Sequence, residues 1–492
     1  MKKWLTSLLS MILTCLFPCL FLFAQNAGEA RFRDIFPFFF LFLVTALIGF
    51  GILLVIFRNV TRAGFFDDLC MLVVINFSLV ANGVENLLPW FHSKYLLVVL
   101  ALLLLGLMLL LLKKKPDLTV GCILVSLAFG VMTVMNLVMA IPQLVAVASH
   151  EKPGENAQAE VVFRGEKRNV YYLLFDEYGG DENLMTYFGL DNSEFYGELE
   201  ERGFTVSHTT YNAESCWTDT LVPNLLNLDY VVSDDMEEAT RRTYLEDPYL
   251  YTLFQDNGYR VNLINHRAYL KTAGTTELTT GQVEDTISGY LLENSLFAKI
   301  DFIETRINHW LFKNYRDNYS VPLNDALARL QDCYSYTDGP TLTVSYIQCP
   351  HAPFVYNADG TVRDLATAWY WKDESLYPGQ LRFMNGQILS AVDSIQQHDP
   401  LAVILLLSDH GARVPLHMVE QFGGPRFDAE KETPVMQSTL LSVYVPGKTV
   451  EIEGDTGING VRKAIDAAFD TNLGMVTPVT GYILPDYYNA KE

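Results

Sequence analysis

Residues 4–24, 35–57, 95–112 and 118–140 are nearly uncharged apolar runs of about 18 residues or more, and no other feature narrows the fold as far. Such a run crosses the roughly 30 Å hydrocarbon core of a bilayer as a helix, which satisfies its own backbone hydrogen bonds in lipid. A fifth run, 69–88, is interrupted by Asn76, Ser78, Asn82 and Glu85 and makes a weaker span. With five crossings, Lys2 and Lys3, Arg58 and Arg62, and Lys113 to Lys115 fall on one side, which the positive-inside rule makes the cytoplasm. Everything beyond residue 148 is then outside. A cleaved signal peptide at 4–24 is the competing reading, but only "LFA" resembles a cleavage site and another span follows promptly. Asp67, Asp68 and Glu85 fall near expected helix ends, so no conduction path is evident and a transporter is disfavoured.

Charge divides the chain at the same place. The first 150 residues hold ten basic and six acidic side chains, a net +4, which leaves −26 on the remainder against −22 for the whole. An acidic part of that size repels phosphate backbones, so no nucleic-acid partner is expected. Cys15, Cys19, Cys70 and Cys122 belong to the membrane part, and Cys216, Cys333 and Cys349 to the exported part. None shows C-x-x-C spacing, and Cys333 with Cys349 is the candidate pair for at most one disulfide.

Residues 149–165, "SHEKPGENAQAEVVFRG", are polar, carry Pro153 and Gly154, and read as a tether. The expected organisation is a transmembrane domain at 1–148, a linker at 149–165 and an extracytoplasmic domain at 166–492. In the last, the strand-like runs "NVYYLLF", "YRVNLINH", "TLTVSYIQC", "LAVILLL" and "TLLSVYVPG" alternate with segments of helical apolar spacing. That alternation implies an α/β domain whose largely parallel central sheet is covered by helices. Ligands of such sheets bind at the carboxyl ends of the strands.

Three strands end in groups suited to a metal or a phosphate. "YYLLFDEYGG" delivers Asp176 and Glu177, "LAVILLLSDHG" delivers Asp409 and His410, and "TVSYIQCPHAPF" delivers His351. A buried carboxylate is costly unless a cation answers it. Two carboxylates and an imidazole leave an open position for a nucleophile or a substrate oxygen, as a catalytic metal site requires. The plainer account, that each Asp caps a following helix, suits Asp176 alone better than Asp409 and His410 set side by side against Gly411. On a continuing strand Glu177 points opposite to Asp176, so it is expected to support the site rather than share the ion. Arg413 could pair with phosphate, but an exposed, solvated arginine is the expectation.

"SDHG" after a hydrophobic strand, an early strand ending in Asp, and "PHAPF" before it resemble the metal and substrate motifs of the alkaline phosphatase and sulfatase superfamily. Five spans followed by an exported catalytic domain are similar to its membrane-anchored branch, the lipoteichoic acid synthases and lipid A phosphoethanolamine transferases. The resemblance covers most of the chain in order and architecture, with firm matches in a few short segments. It implies a nucleophile within "ESCWTDTLVPNLLNLDY". In the phosphoethanolamine transferases a threonine follows a Cys and one intervening residue, and Cys216, Trp217, Thr218, Asp219 and Thr220 look like that order. Thr218 is the expected nucleophile and Thr220 the reserve, either of which would otherwise simply cap a helix beginning near Thr220, ahead of Pro223. Trp217 would wall a headgroup pocket. Formylglycine sulfatases carry a Pro and an Arg after their Cys or Ser, and neither follows Cys216, which disfavours that chemistry.

The resemblance further implies one divalent ion, zinc or manganese ahead of magnesium, held by Asp176, Thr218, Asp409 and His410. His351 would donate to a phosphate oxygen or a leaving alkoxide. Of the remaining exported histidines, only His266 or His417 lies near a strand end to serve a second ion. The expected activity is transfer of a phosphoryl headgroup, such as phosphoethanolamine or phosphoglycerol, from a membrane lipid donor to an envelope glycan or lipid through a phospho-threonine. The alternatives are a sulfate or phosphate ester hydrolase on the same scaffold, and a non-catalytic ectodomain that binds envelope glycans.

Overall fold

The computed structural model describes residues 2–25, 32–87, 91, 93–149, 161–266, 269–270, 274–279, 290–292, 294–300, 320–337, 339–363, 371–422, 424–485 and 488. The chain forms two compact units, 1–149 with 284–316, and 150–283 with 317–492.

The first unit contains helices α1 (Lys2–Gln25), α2 (Phe36–Phe57), α3 (Val60–Leu87), α4 (Ser93–Lys114) and α5 (Thr119–Ser149). All five are long and apolar enough to cross a membrane. Helix α1 buries Ser7, Met11, Cys15, Cys19 and Phe23, a stripe repeating every four residues, and packs against α3 and α5. The weakest expected span begins at Val60 rather than at 69. Arg58 turns the chain with a φ of 49°, and Asn59 Oδ1 then accepts from the Thr61 hydroxyl and the Arg62 N–H, each at 3.0 Å, starting the helix early. Asp67 and Asp68 therefore lie inside α3, 2% and 1% exposed, and not near its end as expected. Gly49 makes room for Asp67, since a Cβ there would stand 2.6 Å from Asp67 Oδ1.

The described residues 290–292 and 294–300 group with these helices, although the sequence places them in the exported domain. Leu291, Leu292 and Phe297 are buried in the same apolar core as α1, α2 and α3, and the Ser78 hydroxyl donates to the Ser295 carbonyl at 2.8 Å.

The second unit is built on a seven-stranded sheet of β1 (Val170–Phe175), β2 (Thr205–Ser207), β3 (Arg260–Asn265), β4 (Thr276–Glu277), β5 (Thr341–Ile347), β6 (Val403–Ser408) and β7 (Leu441–Tyr444). The order is β2-β7-β6-β1-β5-β3-β4, with β6, β1, β5, β3 and β4 mutually parallel and β7 antiparallel to both neighbours. Its helices are α6 (Asp181–Phe188), α7 (Ser193–Glu201), α8 (Thr218–Asn227), α9 (Glu238–Thr243), α10 (Tyr249–Asp256), α11 (Ser320–Asp332), α12 (Leu376–His398), α13 (Val414–Phe422), α14 (Ala429–Gln437) and α15 (Gly457–Phe469).

Central strand β1 shows why the sheet is covered on both faces. Tyr171, Leu173 and Phe175 enter one apolar core with α12, while Val170, Tyr172 and Leu174 enter another with α8, α10 and α15. Six consecutive buried residues are thus apolar on both sides of the pleat, as a doubly covered parallel sheet requires. The expected tether also behaves differently at its end. Phe163 stacks on Phe469 with ring centroids 4.3 Å apart, and its N–H donates to Asn257 Oδ1 at 2.7 Å, so 161–165 dock on this unit. Residues 150–160 of the tether lie outside the described residues. Cys333 and Cys349 are buried free thiols with no disulfide between them.

Candidate metal centre and nucleophile

Strand β1 ends at Phe175, and the next two residues part company. Asp176 continues toward the sheet's carboxyl edge, whereas Glu177 adopts a φ of 60°, a left-handed conformation unfavourable for a residue with a side chain. The turn sends their carboxylates into two neighbouring groups. One comprises Asp176, Asp409 and His410, the other Glu177, His351 and His417, each with ligand atoms within 4.8 Å of one another.

In the first group each carboxylate is anchored by one oxygen and presents the other. Asp176 Oδ2 accepts from the Tyr346 hydroxyl at 2.7 Å, and Asp409 Oδ1 accepts from the N–H groups of Glu177 at 3.1 Å and His410 at 2.9 Å. Asp176 Oδ1 and Asp409 Oδ2 are buried without a hydrogen bond. They lie 3.6 and 3.4 Å from His410 Nε2. His410 Nδ1 is 3.0 Å from the Gly411 carbonyl and donates to it, which leaves the Nε2 lone pair facing the carboxylates. Two orphaned oxygens and an oriented imidazole fit a divalent cation.

The local protonation chemistry agrees. Burial pushes Asp409 up to about 6 against its backbone hydrogen bonds, and burial, with the charge of Asp409, raises Asp176. His410 is pushed down to about 3 by burial, then by Arg413, so its imidazole is neutral at neutral pH. Gly411 is required by close approach, because a Cβ there would stand 2.5 Å from the Ser438 carbonyl. A strand can therefore deliver Asp409 and His410 together only if glycine follows.

Thr218 brings its hydroxyl to 3.1 Å from His410 Nε2. It is the first residue of α8, two positions ahead of the expected start, and Pro223 sits inside the helix. The Thr220 hydroxyl is committed elsewhere, donating to Asp234. Thr218 joins Asp176, Asp409 and His410, and Thr220 does not.

The second group joins three residues that the sequence names only separately, His351 as a donor, Glu177 as a support and His417 as a possible ligand of a second ion. Glu177 Oε1 accepts from the Arg413 backbone N–H at 2.8 Å and lies 2.9 Å from His417 Nε2, while Oε2 is 3.7 Å from His351 Nε2 and has no hydrogen bond. Burial opposes the charge of Glu177, but His417, His351 and Arg413 overcome it and hold the carboxyl well below the ordinary range. Burial lowers His417, whose ring stacks on Trp371 at 4.4 Å. His351 thus stands beside Glu177 and His417, and its Nδ1 donates to the Ala352 carbonyl. The signal for His417 was present: it falls in the first turn of the helix opening directly after "SDHGAR". His266 accepts from the Gln348 N–H at 3.1 Å and belongs to neither group.

Arg413 contradicts its expected exposure, being only 7% exposed. Its Nε is 3.5 Å from Glu177 Oε1, Nη1 donates to the Cys216 carbonyl at 3.1 Å, and the guanidinium lies 5.4 Å from the Trp217 ring centroid.

No protein-family model and no curated protein matches the chain. Among solved structures it is similar to lipooligosaccharide phosphoethanolamine transferase A from Neisseria meningitidis, at 12% identity over 94% of this chain and 95% of that chain, with a TM-score of 0.38. It is also similar to the C-terminal periplasmic domain of phosphoethanolamine transferase EptC from Campylobacter jejuni, at 8% identity, covering 64% of this chain and 92% of that one, with a TM-score of 0.40. A third, the C-terminal periplasmic domain of EptC from Escherichia coli in complex with Zn, matches at 12% identity over 63% of this chain and 84% of that one, with a TM-score of 0.39.

Proposed function

We propose that the chain is a membrane-anchored, metal-dependent transferase of phosphoryl headgroups, acting outside the cytoplasm on envelope lipids or glycans through a phospho-Thr218 intermediate. The reading rests on one observation, the approach of the Thr218 hydroxyl to 3.1 Å from His410 beside two inward, unpaired carboxylate oxygens. A divalent cation held by Asp176, Thr218, Asp409 and His410 would favour the alkoxide of Thr218 and neutralise charge on the phosphoryl oxygens.

The chain's own residues divide the remaining work. The start of α8 offers free N–H groups to a phosphoryl anion arriving at Thr218. Thr218 Oγ1 forms its bond to phosphorus as the bond from phosphorus to the lipid alcohol breaks, and the threonine proton ends on that alcohol. An acceptor hydroxyl then attacks phosphorus, the bond to Thr218 breaks, and the acceptor's proton returns to the threonine. With its Nδ1 proton given to the Ala352 carbonyl, His351 would donate from Nε2 to a phosphoryl oxygen only as an imidazolium. Anchoring adds proximity, since enzyme and lipid donor share one surface. A hydrolase would share the first half and differ in using water for the second.

Incubation of the purified full-length chain with vesicles of mixed envelope lipids tests this. Mass spectrometry should find a phospho-headgroup on the peptide containing Thr218, and Thr218→Ala should remove it and cut turnover by at least about 10³-fold. Undiminished turnover in Thr218→Ala rejects the nucleophile. A protein purified without bound metal, with no turnover, points to the glycan-binding alternative.

A further inference from the structure

The nucleophile's loop, residues 214–217, is held from two sides by groups that the proposed chemistry does not consume. On one side the Ser215 hydroxyl donates to Asp234, with its oxygen 2.8 and 3.0 Å from the two carboxylate oxygens, and accepts from the Trp217 N–H at 2.9 Å. Asp234 also accepts from Thr220, so one carboxylate joins the residues before and after Thr218. On the other side stands Arg413. Its Nη1 holds the carbonyl of Cys216, two residues before Thr218, and its guanidinium covers the ring of Trp217. The same side chain reaches Glu177 through Nε at 3.5 Å, and its backbone N–H is bonded to that carboxylate.

A buried guanidinium is expensive unless paired, and here its charge is answered by Glu177 alone at ion-pair distance among the described residues. The guanidinium hydrogen-bonds the Cys216 carbonyl through Nη1 and covers an indole, while its buried Nε faces the Glu177 carboxylate at ion-pair distance without a hydrogen bond, a spread of contacts an ammonium cannot match. We propose that Arg413 is a positioning residue: it ties the Thr218 loop to Glu177, so that the Glu177–His351–His417 group and the nucleophile hold one fixed relation. Asp234 is the opposing anchor. This assignment rests on Thr218 as the nucleophile, yet the loop's immobilisation can be read without any turnover.

Cys216 supplies that reading. It is fully buried in the clamped loop, and the buried Cys333 and Cys349 report on the rest of the same unit. Full-length wild-type, Arg413→Gln, Arg413→Lys and Asp234→Asn proteins in detergent are alkylated with iodoacetamide, and each cysteine peptide is quantified. Arg413→Gln should raise Cys216 labelling about tenfold or more while Cys333 and Cys349 stay protected, with Arg413→Lys between it and wild type and Asp234→Asn loosening the same site. In lipid vesicles Arg413→Gln should slow formation of the Thr218 adduct by about 10²-fold, the cost expected when a nucleophile is misplaced by an ångström, with the donor KM unchanged within about twofold. Parallel labelling of all three cysteines means a merely structural role and overturns the proposal, as does Cys216 labelling that stays at the wild-type level. If wild type forms no Thr218 adduct, the functional reading fails while the cysteine pattern still decides the clamp.

Discussion

At the scale of single residues, the unit that carries the site stores unfavourable charge where it is useful. Asp176 and Asp409 each leave one oxygen unsatisfied, a cost that only a cation or a proton relieves. Glu214, at the head of the nucleophile loop, is a quieter instance. Burial, with the charge of Asp234 adding, pushes its carboxyl from 4.5 up to about 7. A carboxyl raised on folding contributes its stability in full below about pH 4.5, the unfolded value, and loses it as pH rises through about 7. The rise of about 2.5 units corresponds to roughly 3 kcal/mol. Glu214→Gln should therefore flatten the pH dependence of the denaturation midpoint between pH 4.5 and 7. A slope equal to that of wild type would place the titrating group elsewhere.

At the scale of elements, the chemistry depends on how strands stop. Strand β1 stops by a left-handed Glu177, which splits adjacent acids between two groups, and β6 stops at a backbone approach that only glycine permits. Gly411→Ala puts a methyl against the Ser438 carbonyl and the Asn183 amide, where backbone must move, and should cost about 1–3 kcal/mol in chemical denaturation. Because Asp409 and His410 precede it directly, bound metal measured by elemental analysis should fall with it. Unchanged stability in Gly411→Ala would mean that the turn is looser than its contacts indicate. The start of α8 matters in the same way, since it sets Thr218 toward His410 while Thr220, half a turn on, faces Asp234.

At the scale of the whole molecule, the membrane part and the sheet-based part are each stabilised by their own apolar cores. Phe163 anchors the end of the tether against Phe254, Tyr259 and Phe469. Phe163→Ala should lower the stability of that unit by about 1–3 kcal/mol, less than a fully buried phenylalanine would cost, in thermal unfolding monitored by near-ultraviolet dichroism. No change would show that the last residues of the tether only lie on the surface. Leu291, Leu292 and Phe297 make the complementary point, a short piece of later sequence that belongs to the membrane helices' core. The spans, the alternation of strands and helices, and the strand ends bearing Asp176, Asp409, His410 and His351 were legible in the sequence, because each follows from hydropathy and periodicity within a few adjacent residues. Burial of Asp67, Asp68 and Arg413, the grouping of Leu291, Leu292 and Phe297 with the first unit, and the partnership of Glu177 with His417 were not. Each of these depends on which distant backbone stands opposite a side chain, and that is settled by packing between elements far apart in the chain, to which local pattern is blind.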